Sequence, residues 1–132
     1  ERYDNVRYMG FVALSLISRV YFEADLFLLP SRSEGMPLRL LEAQASGLPV
    51  VAYNIPGVSD VVVDGVTGKL VPVGDLGGLA DAVRGYYVRW LSSPNEYNEL
   101  KRKIQSHIAA KYSWNIVIEK LRKLLVKPCR QR

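Results

Sequence analysis

Cysteine and histidine are nearly missing from this 132-residue sequence, which has one of each, Cys129 and His107. A single thiol near the C-terminus builds neither a disulfide framework nor a zinc site, and it suits a reducing, cytoplasmic setting. No obvious base lies near Cys129 in sequence, so it reads as a bystander rather than a nucleophile. His107 falls in a late helical stretch and reads as a surface residue. Long apolar runs are scarce, and none approaches the ~20 residues of a membrane span. No signal peptide is visible, and there is no G-x-G-x-x-G and no Walker lysine loop, which argues against a dinucleotide or P-loop site. The sequence opens on Glu1 rather than Met, in what reads as the lead-in to a strand, so a fragment or excised domain is expected.

What is present suits one ordinary globular domain. Apolar residues make up 48% and charged residues 23%, and the length allows a real core. Charge is uneven: residues 1–83 hold six basic and ten acidic side chains, residues 84–132 twelve and three. A basic tail suits an anionic membrane surface or a polyanion, or it is the solvated face of helices. Its alternation with apolar residues at helical spacing favours the solvated face.

Hydrophobic periodicity switches repeatedly between strand and helix. Residues 6–9 read as a short strand ending at Gly10. Residues 14–24 read as a helix with Leu14, Ile17, Val20 and Tyr21 on one side. The apolar run 25–30 reads as a parallel strand buried on both faces and stopped by Pro30. A helix starts near Pro37, suited to a first turn because it has no N–H to orphan, and ends at Gly47. A strand over 49–53, a short helix around 58–63 and a strand over 69–71 follow. Helices are predicted over 76–91, with Leu79, Ala82, Val83 and Tyr86 inward, over 95–110, and from Ser113 to about Leu125. Tyr86, Tyr87 and Trp90 read as helix packing. This alternation predicts an α/β fold, a Rossmann-like parallel sheet flanked by helices.

In such sheets ligands sit at the carboxyl ends of the strands. The loop 31–36 leaves one of those ends, and it leads into the most informative stretch, Ser33-Glu34-Gly35-Met36-Pro37-Leu38-Arg39-Leu40-Leu41-Glu42-Ala43. Glu34 lies before the helix and Glu42 in its second turn. Gly35 permits close backbone approach or an unusual backbone angle. The amides of Met36, Leu38 and Arg39 belong to a turn without internal acceptors, where an anion gains hydrogen bonds and the helix dipole. Two carboxylates bracketing such a turn can accept hydroxyls at either end of a diphosphate, which suits a nucleotide sugar. A glycosidase pair needs carboxyls about 5–9.5 Å apart across one sugar, and this spacing brackets a longer ligand. Gly10, Phe11 and Val12 either wall a nucleobase pocket or form a turn with a core phenylalanine, and residues 54–57, which follow another strand, are expected to line the same cleft.

Residues 24–38, Glu42-Ala43 and 45–52 together resemble the donor-binding half of the retaining glycosyltransferases of family 4, the "group 1" transferases. Gly65-Val66-Thr67-Gly68-Lys69-Leu70-Val71 and Tyr112-Ser113-Trp114 match later landmarks of that family. The resemblance implies a GT-B architecture of two Rossmann-like domains, with residues 1–132 forming most of the C-terminal one and the acceptor domain absent from this chain. It implies that the residue at Glu42 bonds the ribose and that Glu34, the catalytic candidate, contacts hydroxyls of the transferred sugar. Backbone at Gly35, Met36, Pro37 and Leu38 then approaches sugar and diphosphate, and Gly10, Phe11 and Val12 lie near the base. It also implies a UDP- or GDP-sugar donor, transfer with retention, no essential metal and no cofactor. The acceptor expected is a sugar or a lipid-linked sugar, with peripheral contact at the inner membrane face compatible with the basic C-terminal helices, and no nucleic acid is expected. Three departures stand out. The Arg and Lys that the family supplies for the diphosphate fall upstream of Glu1, residues 57–60 read Gly-Val-Ser-Asp where a second Gly and a Glu are commoner, and Gln44 stands where Met is common. Rival readings are a non-catalytic nucleotide-binding or regulatory remnant, and another GT-B enzyme such as a sugar epimerase or phosphorylase.

Overall fold

The computed structural model describes residues 4–125. Its centre is a parallel sheet of three short strands in the order β1 (Phe27–Leu29), β2 (Val50–Tyr53), β3 (Gly68–Val71). Phe27 pairs with Val50 and Leu29 with Ala52, while Val50 pairs with Gly68 and Tyr53 with Val71. Five helices accompany it among the described residues: α1 (Leu14–Glu23), α2 (Leu38–Ala45), α3 (Leu76–Ser92), α4 (Pro94–Tyr112) and α5 (Trp114–Leu125). The expected α/β architecture is therefore present.

β2 is the pivot. All four of its residues are buried, so both faces of this strand are covered, as its unbroken apolar run requires. Leu40 of α2, Leu79 of α3 and Ile108 of α4 join β2 in the main core, with Ile55, Val58, Val61 and Val62 from the segment after it. A second cluster unites Tyr21 of α1 with Ala43 and Leu48. α2 closes in a Schellman turn: the Gly47 amide donates to the Gln44 carbonyl and the Leu48 amide to the Ala43 carbonyl. Gly47 sits at φ +87°, and a Cβ there would lie 3.0 Å from the Lys101 carbonyl oxygen, so its bareness lets α4 lie close on α2.

Several sequence expectations need correction. Residues 6–9 form no strand; Val6, Tyr8 and Met9 are exposed, and among the described residues no strand takes up their backbone groups. β1 is not buried on both faces. Among the described residues it pairs only with β2, and Leu28 is 47% exposed. Residues 58–61 are turns and 62–63 irregular, rather than a helix. Bonds such as Ser59 N–H to the Ile55 carbonyl and Val62 N–H to the Val58 carbonyl are present, but they do not run on into a continuous ladder. His107 is half-buried on α4, with Nε2 shielded from solvent and without a hydrogen-bond partner among the described residues. Tyr86 packs on the core as expected, whereas Tyr87 and Trp90 are exposed and stack on each other. Cys129 lies outside the described residues.

α4 straps the fold together. Near its start the buried Tyr97 hydroxyl donates to the Asp25 carbonyl at 2.7 Å, and the Lys101 ammonium reaches the Ala24 carbonyl at 3.1 Å. At its end Lys111 Nζ and the Tyr112 hydroxyl both donate to the Asp60 carbonyl. Burial first, then the Asp25 carboxylate, pushes the Tyr97 phenol up from 10.0 to about 12. The folded state thus holds that proton more tightly than the unfolded chain. The stability this contributes is intact below pH 10 and is lost as pH rises through about 12. Tyr97→Phe is expected to lose about 1 kcal/mol of stability near neutral pH and to flatten the alkaline fall between those two values. Denaturant titrations across that range measure both effects.

Candidate functional site

Because the strands are parallel, the loops leaving β1 and β2 emerge at one edge of the sheet. They touch there. Gly57, in the loop after β2, has φ +81°, and a Cβ at that position would overlap the Gly35 carbonyl oxygen and crowd the Glu34 carbonyl. The Gly57 amide donates to Asp60 Oδ2 at 3.3 Å, which fixes the turn. Gly35 itself has no positive φ, so the unusual backbone angle allowed for in the sequence reading is not used. The space where its side chain would stand is open.

Pro37 is the N-cap of α2, in extended conformation (φ −73°, ψ 102°), one position earlier than the first-turn place expected of it. The Leu40 amide turns back to the Pro37 carbonyl at 2.9 Å. The Leu38 and Arg39 amides have no protein acceptor among the described residues. No acidic side chain occupies this first turn, so the positive end of the helix dipole is left uncompensated.

A cleft of about 700 Å³ opens at this end of α2. Of the expected site residues, Glu34, Met36, Pro37 and Leu38 line it, and Gly35 lies between two of them. Glu34 is half-buried. Glu42 is exposed and stands beyond the lining, joined to it through Tyr21, which lines the cleft and whose hydroxyl donates to Glu42 Oε2 at 3.3 Å. Gly10, Phe11 and Val12 are not among the lining residues, and Phe11 is 95% exposed, so the structure does not bring the expected base-side segment to the cleft. Gly10 does take a turn conformation, at φ +65°.

The sequence reading missed Tyr21 and the side chain of Arg39, together with the apolar wall of Ile17, Phe27, Leu29 and Leu40. The helical spacing of Ile17 and Tyr21 was a visible signal, since it put both on the inward side of α1. Burial first, then the charge and hydrogen bond of Glu42, raises the Tyr21 phenol pKa, while Arg39 partly offsets this. Tyr21 therefore stays a neutral donor at physiological pH. A second cavity, of about 430 Å³, lies between the 65–71 segment and α3 and shares no residue with this cleft. Among the described residues no group of three or more His, Cys, Asp or Glu side chains gathers to hold a metal ion.

Residues 1–87 match the profile of the family described as glycosyl transferases group 1. The chain belongs to the group 1 glycosyltransferases. Among curated relatives, it is 42% identical over 83 residues to the amylovoran biosynthesis glycosyltransferase AmsK of Erwinia amylovora, a match covering 58% of this chain and 20% of that protein. It is 36% identical over 118 residues to the D-inositol 3-phosphate glycosyltransferase of Mycolicibacterium smegmatis, covering 89% and 26%. The chain thus spans between 20% and 26% of the length of these relatives. Its fold superposes on a sucrose-phosphate synthase from Thermosynechococcus elongatus with a TM-score of 0.78 at 28% identity, covering 92% of this chain and 30% of that one. The sheet and its helices are accordingly those of a GT-B glycosyltransferase domain, and the cleft between α1, β1 and α2 is that domain's candidate site. No helix of this group 1 chain, among the described residues, is long and apolar enough to cross a membrane.

The Gly57–Gly35 contact makes a sharp test. Gly57→Ala combines a strained positive φ with a collision against the loop that carries Glu34. It is expected to destabilise the protein by about 2 kcal/mol or more. A thermal melt that matches the wild type would show that the two loops do not support one another.

Proposed function

We propose that this chain binds the donor in an enzyme that transfers a hexose-type sugar from a UDP- or GDP-sugar to an acceptor with retention of anomeric configuration, as in family 4. The observation that carries this reading is the convergence on one cleft of Glu34, the two free amides that open α2 and, through Tyr21, Glu42. The diphosphate rests on the Leu38 and Arg39 amides, with the Arg39 guanidinium beside it. Glu34 accepts from hydroxyls of the transferred sugar at one end, and Glu42 accepts from the ribose at the other.

In the transfer, the bond from the anomeric carbon to the diphosphate oxygen breaks with its electron pair going to the diphosphate. The acceptor oxygen forms the new bond on the same face, and its proton passes to the departing phosphate. The amino end of α2 stabilises the negative charge that builds on the leaving group, in a site already oriented for it. This reading assigns the charge to helix and arginine and requires neither metal nor cofactor. The residues that would complete the diphosphate and acceptor sites belong to the rest of the polypeptide.

The acceptor is a sugar or a lipid-linked sugar on the cytoplasmic side. α5 offers the surface for peripheral membrane contact: Trp114, Ile118, Leu121 and Leu125 are all exposed at helical spacing, and Lys120 and Arg122 fall on either side of that stripe.

Isothermal titration of the full-length protein with UDP- and GDP-sugars tests the donor assignment. Glu42→Ala is expected to weaken nucleotide binding about tenfold or more, the magnitude of a lost hydrogen bond to a charged group. Glu34→Gln is expected to lower turnover more than nucleotide affinity. Unchanged nucleotide affinity in Glu42→Ala sinks the ribose assignment.

A further inference from the structure

We propose that Tyr21 is a positioning residue for the donor: its hydroxyl holds one oxygen of Glu42 and leaves the other to accept from the ribose. This rests on the donor-binding reading above and adds a residue that the sequence marks only as inward-facing on its helix.

Glu42 is exposed on α2, and a long side chain in that setting samples several rotamers unless something holds it. Tyr21 is fixed where Glu42 is not. Its ring is 6% exposed, meets Phe27 of β1 edge-on with centroids 6.1 Å apart, and packs in the cluster with Ala43 and Leu48. That leaves the hydroxyl as its one polar group, and it donates to Glu42 Oε2 across 21 residues of sequence. Among the described residues no protein group bonds Glu42 Oε1. A carboxylate oxygen has two lone pairs, so Oε1 alone can accept from a vicinal diol. The raised pKa of the Tyr21 phenol keeps it a donor throughout the physiological range.

The geometry also separates two roles. Tyr21 lines the cleft, yet its polar atom is engaged by the protein. It acts on the ligand through Glu42, so removing the hydroxyl alone should damage recognition of the ribose and spare the packing.

The test is a double-mutant cycle on the full-length protein, with uridine and guanosine diphosphates and their 2′,3′-dideoxy analogues as probes. Tyr21→Phe keeps the ring and is expected to melt close to the wild type. It should bind the better nucleoside diphosphate about five- to tenfold more weakly and discriminate less against the dideoxy analogue. Adding Tyr21→Phe to Glu42→Ala is expected to cause no further loss. An ultraviolet difference titration gives a ligand-free readout, in which Glu42→Gln should lower the titration of one tyrosine in the wild-type protein but not in Tyr21→Phe.

If Glu42→Ala weakens binding and Tyr21→Phe does not, the proposal is overturned while the donor reading stands. Equal losses from Tyr21→Phe with and without Glu42 overturn it as well, because the hydroxyl then acts by another route. If neither nucleotide binds, or Glu42→Ala binds like the wild type, the donor reading fails and takes the proposal with it.

Discussion

Burial of β2 is the constraint on which everything else hangs. Val50, Val51, Ala52 and Tyr53 are enclosed from both faces, and hydrogen bonds to β1 and β3 enclose them from both sides. A parallel strand so enclosed has no freedom of register, since a shift by one residue would exchange its two packed faces. Fixing β2 fixes the exits of β1 and β2 at one edge. The loops that leave there then meet at Gly57 and Gly35 with no room for a methyl group between them. The half-buried Glu34 is carried by that contact, so a loop residue acquires the precision of the sheet.

α2 connects the core to the chemistry. Its carboxyl end is closed by the Gly47 turn and seated against α4, its inner side is locked by Leu40 and Ala43, and its amino end is left open. An eight-residue helix has little stability of its own, so the tertiary packing must hold it. The payoff is that two unpaired amides keep a fixed direction without a side-chain cap competing for them. α4 adds a second restraint by tying Asp25, just before β1, and Asp60, just after the Gly57 turn, to a single rigid rod.

Much of this was legible in the residues, and the failures have common physical causes. The helical spacing over 14–24, the apolar run at 50–53 and the Pro37-to-Gly47 punctuation are local signals, and the corresponding elements formed within a residue or two. Residues 6–9 have a strand-like pattern, but a strand exists only by pairing, and pattern alone does not supply a neighbour. The double burial expected of β1 failed for a related reason, since among the described residues no strand lies on its other side. Residues 58–63 have apolar side chains that do reach the core, yet the positive-φ turn at Gly57 and the return at Asp64 leave room for single turns only. The site divides in the same way. Glu34 and the α2 amides were readable because loop and helix follow one another in the chain. Tyr21 was readable as an inward-facing helix residue and nothing more, because its bond to Glu42 depends on how α1 crosses α2.

The two carboxylates end up held by opposite means, and this bears on what each can do. Glu34 is held through its backbone, by loop contact, and its carboxylate forms no hydrogen bond with protein among the described residues. Glu42 is held through its side chain, and its backbone belongs to α2. A group that must follow a sugar ring as the ring distorts benefits from a free carboxylate on a braced loop. A group that must recognise an unreacting ribose benefits from a carboxylate already immobilised, because its ordering entropy is met during folding rather than on binding. On the proposed donor reading, the asymmetry fits a division of labour, with tolerance near the bond that breaks and rigidity at the end that stays intact.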